Sequence, residues 1–450
     1  MTGGLGRYAR SFTGFERDAR IFLAASLVYG VGLSLYWIDF NLYLAALGFD
    51  RAFIGIVASA GSLAGALAAF PASMLSDRVG RRHVLLGASA LGALALAGLL
   101  VAREPLAIIG LVAALGAANQ AFGVLIAPFL AEHSRPENRS ELFSLQFAIS
   151  NITNVGAALA GGAIAALAAS LGGFGADSPD AYRILLAVMV GSSILGTATI
   201  ALLRDDRPRR RRDRRTLEQR PGDGWTGEPI AARGDGERTR AHSPRRPLPG
   251  PRDRTLFFRL LMPGFLISLG AGQVIPFLNL FIEGRFGLDL ASLNVVFAFT
   301  SLGTTIAVLL QPALARRYGK VASVVIVQAA SIPFLAVLGF SPILWTVVVA
   351  MAVRNSLMNA GNPIQNAFAM EQLRPAERAT FAAASNLLWS LGWVLAGPWY
   401  SALQATLGFA AGYAVNFATI ILLYSVATYL YWTWFRDAER PAAPMEVPAS

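Results

Sequence analysis

The chain has 450 residues, 55% of them hydrophobic and only 14% charged, with a mean hydropathy of +0.51 and a net charge of +11. Soluble globular chains carry about a quarter charged residues, so this is a membrane protein whose length counts spans rather than soluble domains. No cysteine is present, the three histidines have no ligand spacing, and no nucleotide-binding loop or catalytic constellation occurs. This excludes disulfides and thiolate chemistry, and neither catalysis, a metal site nor a cofactor is expected.

Apolar runs long enough to cross a core of about 30 Å fall at about 20–47, 52–76, 83–102, 105–131, 141–171 and 182–203. They resume at about 256–283, 289–315, 321–340, 343–370, 379–404 and 409–434. The fold class is therefore all-α, with twelve transmembrane helices in two six-helix bundles (1–204 and 255–435) and a tail at 436–450. Between the bundles, the 205–254 stretch holds most of the 16 arginines found from Leu203 to Thr255 and lacks apolar periodicity. It reads as a disordered cytoplasmic linker with a secondary capacity for anionic lipid headgroups; nucleic-acid binding is not expected. A cytoplasmic N-terminus leaves only Arg51, Arg103, Arg183 and Arg285 outside and Arg354 within a span. The positive-inside rule thus sets both termini in the cytoplasm, and the expected location is the plasma membrane, such as a bacterial inner membrane.

The halves repeat. "AEHSRPENRS" (131–140) aligns with "MEQLRPAERA" (370–379) at an offset of 239, matching Glu132 to Glu371 and Arg139 to Arg378. The same offset carries Gly80 of "SDRVGRR" onto Gly319 of "ARRYGKV". Near the start of each half, "GLSLYWIDFNLYL" aligns with "GAGQVIPFLNLFI" at an offset of 238, matching Asn41 to Asn279.

Polar residues inside the spans mark a pathway. Span 1 offers Asp39 and Asn41, with Tyr36 and Tyr43 on the expected face of Asp39. Span 4 offers Asn119 and Gln120, span 7 Gln273 and Asn279, and span 11 Trp389 and Trp393. In span 10, Asn355, Asn359, Asn362 and Asn366 form one stripe, read as a wet cavity wall, beside Arg354. At 1.5 Å per residue, Asp39 and Arg354 lie roughly 13 and 18 Å below the outer surface, both near the midplane. Neither is duplicated in the repeat, so they are expected to face one cavity as a cross-cavity pair serving a proton, a solute or only the fold.

"SMLSDRVGRR" (73–82) resembles the signature loop of the major facilitator superfamily, matching it at Asp77, Arg78, Gly80, Arg81 and Arg82, with Ser73 in place of the leading glycine. The second half keeps a weaker copy in which Arg316, followed by Arg317, replaces the acid. Glu132 with Arg139, and Glu371 with Arg378, resemble the E-x6-R pairs of that superfamily's sugar porters. The resemblance implies alternating access, a cavity lined by spans 1, 4, 7 and 10, and cytoplasmic loops that bias the alternation. Charge-assisted pairs across the halves are the expected means. The functional expectation is a secondary transporter of a small organic solute, proton-coupled and monomeric. Drug:proton antiport is disfavoured because span 4 lacks the arginine motif and the span 5 antiporter motif survives only as "GAALAGG" (156–162). A non-transporting sensor on the same fold is the other alternative.

Overall fold

The computed structural model describes residues 15–134, 139–175, 178–204, 253–374 and 377–438. The expectations for the linker over 205–252 and the tail over 439–450 lie outside these residues, as do the side chains of Arg139 and Arg316. Spans 1 to 6 are the helices Arg17–Ala46, Arg51–Val79, Arg81–Val101, Pro105–Glu132, Arg139–Gly172 and Pro179–Ala201. Span 7 is broken: Arg254–Val274 gives way to a 3-10 turn at Ile275–Phe277 and then to Leu278–Phe286. Pro276 explains the break, since it lacks an N–H for the helix ladder. Spans 8, 9 and 10 are Leu290–Tyr318, Lys320–Phe340 and Leu344–Gln372. Spans 11 and 12 share the helical run Arg378–Phe435, which reverses at Gly408 (φ +71°).

The repeat is visible as packing. Span 1 packs on spans 5 and 6, span 2 on span 4, and span 3 on spans 4 and 6. In the second half, span 7 packs on the span 11–12 pair, span 8 on span 10, and span 9 on span 10 and that pair. The turns repeat too. Gly80 and Gly319, matched by sequence, begin spans 3 and 9 at φ +97° and +80°, a region that residues with a Cβ rarely enter. Between the halves span 2 meets span 11, span 5 meets span 8, and span 1 meets span 7.

The hydrophobic core shows how the halves are set. One buried cluster joins both, running from Leu35, Tyr43 and Ile54 through Phe277 and Leu293 to Tyr400 and Tyr413. It occupies the end away from the arginine-rich 73–82 loop, called the far end below. At the arginine-rich end the core divides. One cluster around Phe22, Phe129 and Leu142 belongs to the first half, and another around Phe257, Phe368 and Phe435 to the second. The molecule is thus sealed at the far end and parted at the arginine-rich end.

Candidate solute cavity and the contacts that close it

A cavity of about 410 Å³ opens between spans 1, 2, 4, 7 and 11. Span 1 contributes Leu33, Tyr36, Trp37, Phe40 and Asn41, which are spaced i, i+3, i+4, i+7 and i+8 and so share one helix face. Span 2 presents the small residues Ala58, Gly61, Ser62 and Gly65, which make the room. Of the residues expected from sequence, Tyr36, Asn41, Asn119, Gln120 and Trp389 line this cavity. Tyr29 Oη donates to Asn119 Oδ1 at 2.7 Å, which fixes that amide and leaves its nitrogen as the free donor. Tyr36 stacks on Phe40 with ring centroids 4.8 Å apart. Trp37 of the first half meets Trp393 of the second edge-to-face at 6.0 Å. Among the described lining residues none is charged.

Asp39 is not on this wall. It is 1% exposed and points to the junction of spans 1, 5 and 8, where its Oδ1 accepts from Asn294 Nδ2 at 3.0 Å. Arg354, 5% exposed, stays within its own half, donating to Tyr424 Oη at 2.7 Å and to Asn355 Oδ1 at 2.8 Å. The expected Asp39–Arg354 pair is therefore absent here. Equal depth did not imply equal azimuth: Asp39 faces spans 5 and 8, and Arg354 faces span 12. Tyr43 likewise leaves the cavity and accepts from Arg103 Nη1 at 3.1 Å near the far end. Asn355, Asn359 and Asn362 do not line the cavity. Asn359 donates to the Asn355 carbonyl at 2.9 Å, and Asn359, Asn362 and Asn366 are exposed along span 10. Gln273 is buried beside Gly272, outside the described lining.

Asn294 was missed by sequence reasoning, which looked for function in spans 1, 4, 7 and 10. The available signal was a lone amide near the start of an apolar run. Gly161 and Gly162 of "GAALAGG" admit it. A methyl at Gly161 would stand 3.5 Å from Asn294 Oδ1, and one at Gly162 3.2 Å from Asn294 Cβ and 3.1 Å from Ala291 Cα. Small residues let membrane helices approach this closely.

The repeat-matched Asn41 and Asn279 form a reciprocal clamp between the halves. Asn41 Nδ2 donates to the Pro276 carbonyl at 2.6 Å, and Asn279 Nδ2 donates to the Ile38 carbonyl at 2.6 Å. The two acceptors are themselves 238 apart, so the clamp has the pseudo-two-fold symmetry of the chain. Further toward the far end, Ser401 Oγ donates to the Ala52 carbonyl at 2.7 Å, and the Arg51 guanidinium lies 4.6 Å from the Phe409 ring centroid.

With the arginine-rich end parted, the ion pairs among the described residues there stay within one half. Arg81 holds Glu132 bidentately, with Nε and Nη2 each 2.5 Å from a carboxylate oxygen. At the equivalent place in the repeat Lys320 pairs with Glu371. The glutamates of the E-x6-R motifs thus hold the cation that follows each turn glycine. Arg378 instead donates to the Leu373 carbonyl at 3.3 Å, Arg82 to the Ala201 carbonyl at 2.8 Å, and Arg317 lies over Tyr318. Asp77 and Arg78 are exposed beside them.

Solved structures with this architecture include the nucleoside transporter NupG (15% identity, 95% of this chain and 100% of that one, TM-score 0.65). A bacterial homolog of the human lysosomal transporter Spinster, inward-facing and occupied, matches at 13% identity over 95% of this chain and 98% of that one, with a TM-score of 0.69. A D-xylose–proton symporter matches at 12% identity over 92% and 96%, with a TM-score of 0.66. No curated protein sequence matches the chain. The family model of the Major Facilitator Superfamily matches residues 22–397, and over that span of a two-lobed helical membrane protein the conclusion is direct: the chain belongs to the Major Facilitator Superfamily, as a secondary transporter rather than an enzyme.

Proposed function

We propose that the protein carries a small, neutral, ring-bearing polar solute by alternating access, coupled to protons. The observation that carries this reading is the uncharged wall of the 410 Å³ cavity, where indole and phenol faces alternate with the amides of Asn41, Asn119 and Gln120. Aromatic faces stack on a ring while amides satisfy hydroxyl or carbonyl groups around its edge. Arg354 is withdrawn from this wall by Tyr424, which argues against a carboxylate or phosphate substrate. No carboxylate is among the described lining residues, which argues against a cationic drug. Nucleoside and D-xylose transporters among the structural neighbours are consistent with such a solute.

The arginine bias of the loops assigns the parted end to the cytoplasm, so this conformation is inward-open. Alternation then requires the Asn41–Asn279 clamp and the span 2–11 and 5–8 contacts to release while the arginine-rich ends approach. We assign the chain to the plasma membrane as a monomer, with bundles at 1–204 and 255–435 and the 205–254 linker against anionic headgroups. Asp39 supplies the coupling carboxylate.

The test is flux into proteoliposomes of radiolabelled uridine and D-xylose, with succinate as the anionic control, under an imposed proton gradient. Quenching of Trp37, Trp389 and Trp393 fluorescence reports binding in parallel. Expected is gradient-driven uptake of a neutral ring solute, reduced at least about tenfold by Asn119→Ala. Uptake of succinate alone, with no quenching by either neutral solute, would refute the reading.

A further inference from the structure

Resting on the coupling role proposed for Asp39, the span 1–5–8 junction points to the group that a proton on this carboxylate would engage. Asp39 Oδ2 and Asn294 Oδ1 are both buried acceptors with no hydrogen-bond donor. Both lie over Gly161, at 3.4 and 3.5 Å from the point a methyl there would occupy. Asp39 Oδ1 and Asn294 Nδ2 are already joined at 3.0 Å, and the same amide nitrogen donates to the Leu290 carbonyl at 3.1 Å. Two lone-pair oxygens enclosed together repel unless something positive sits between them. A carboxylic acid and a carboxamide are complementary in one arrangement. The amide N–H donates to the acid carbonyl, and the acid O–H donates to the amide oxygen. Half of that arrangement is present.

We infer that the proton seat is shared between the two halves: a proton on Asp39 Oδ2 donates to Asn294 Oδ1 and locks the far end shut. Proton binding forms an O–H bond on Asp39 and one hydrogen bond across the halves; release returns the proton to water and leaves a carboxylate facing a carbonyl oxygen. Other ionisable groups on the packed elements are engaged elsewhere or belong to the mouth. On span 1, Tyr36 lies in the cavity wall and Tyr43 is held by Arg103. Spans 2, 6, 7 and 8 bring Asp50, Arg51, Tyr182, Glu283 and Asp289, and span 5 brings the amide Asn154, which accepts from Ser34. Among the described residues, Asn294 is the one hydrogen-bond partner of the Asp39 side chain, and none forms an ion pair with it. Unlike a cavity-facing carboxylate, Asp39 engages an amide on span 8, and the output of its protonation is closure.

The sign follows from linkage. A proton bound in the closed state and released on opening makes the closed population rise as pH falls, by at most about tenfold per pH unit for one site. The native chain has no cysteine, so Glu104→Cys and Thr406→Cys take spin labels at the far end, one in each half, and their distance is read from pH 5 to 9 in reconstituted full-length protein. Expected is one-proton closure on acidification in the otherwise native chain. Asp39→Asn, which keeps a donor toward Asn294 Oδ1, stays closed at every pH. Asn294→Leu loses the pH response and opens. A pH response that survives Asp39→Asn, or closure driven by sodium at fixed pH, would overturn the inference. No solute enters this measurement, so its failure leaves the transport reading standing, and failed uptake of uridine and D-xylose leaves this one standing.

Discussion

Replacing Asn41 or Asn279 with alanine removes one of the two 2.6 Å bonds that tie span 1 to span 7 at the sealed end. Interhelical hydrogen bonds in membrane proteins contribute about 0.6 kcal/mol on average and about 1.7 kcal/mol at most. The lower figure applies here, because each acceptor is a main-chain carbonyl at a helical turn and truncating the donor leaves no new buried charge. A loss of about 0.6 kcal/mol moves the closed-to-open ratio about threefold, and both substitutions together about eightfold. The pseudo-symmetry makes a sharper demand: the two single variants must shift the equilibrium equally. Asn279 also accepts from Leu280 N at 2.9 Å, a bond inside one half, so Asn279→Ala additionally lowers thermal stability without adding to the conformational shift. The assay is the distance distribution between labels at positions 104 and 406, with thermal melting as the separate readout. Unequal shifts, or a double variant as closed as the native chain, would show that the clamp does not hold the far end.

Gly162→Ala places a methyl 3.1 Å from Ala291 Cα on span 8, across the boundary between the halves. Overpacking of this kind costs about 1–3 kcal/mol, so the far end should open in the same distance measurement. The Arg81–Glu132 and Lys320–Glu371 pairs are partly exposed and should each contribute no more than about 1 kcal/mol. Double-mutant cycles on stability should return similar coupling for both, and a coupling for either well above that figure would show a desolvated network instead. Arg354→Ala leaves the buried Tyr424 hydroxyl without its 2.7 Å partner, at a cost of about 1–3 kcal/mol in stability. Solute affinity measured by tryptophan quenching should change little, and its abolition would return Arg354 to the binding site.

The span count, the repeat and the turn glycines were legible in the chain because they rest on local physics. Hydrocarbon thickness sets the length of an apolar run, and a positive φ at a tight turn demands glycine at both Gly80 and Gly319. The matching of Asn41 to Asn279 was legible too, although its meaning was not. Sequence alignment revealed two equivalent amides, but only the apposition of the halves showed that each donates to the other's helix rather than to a solute. Asp39 is the clearest case of the limit. Its depth followed from residue counting along one helix, and its burial cost announced a function. Its azimuth depends on how span 1 rotates against its neighbours, and that rotation is set by packing around Gly161, Gly162 and Asn294, which are 122 residues or more away in sequence. A lone arginine at equal depth was the natural partner on paper, whereas the folded chain supplied an amide. Distance along one helix is fixed by the sequence; which side chains meet between helices is decided by the tertiary packing of two halves that can meet in more than one way.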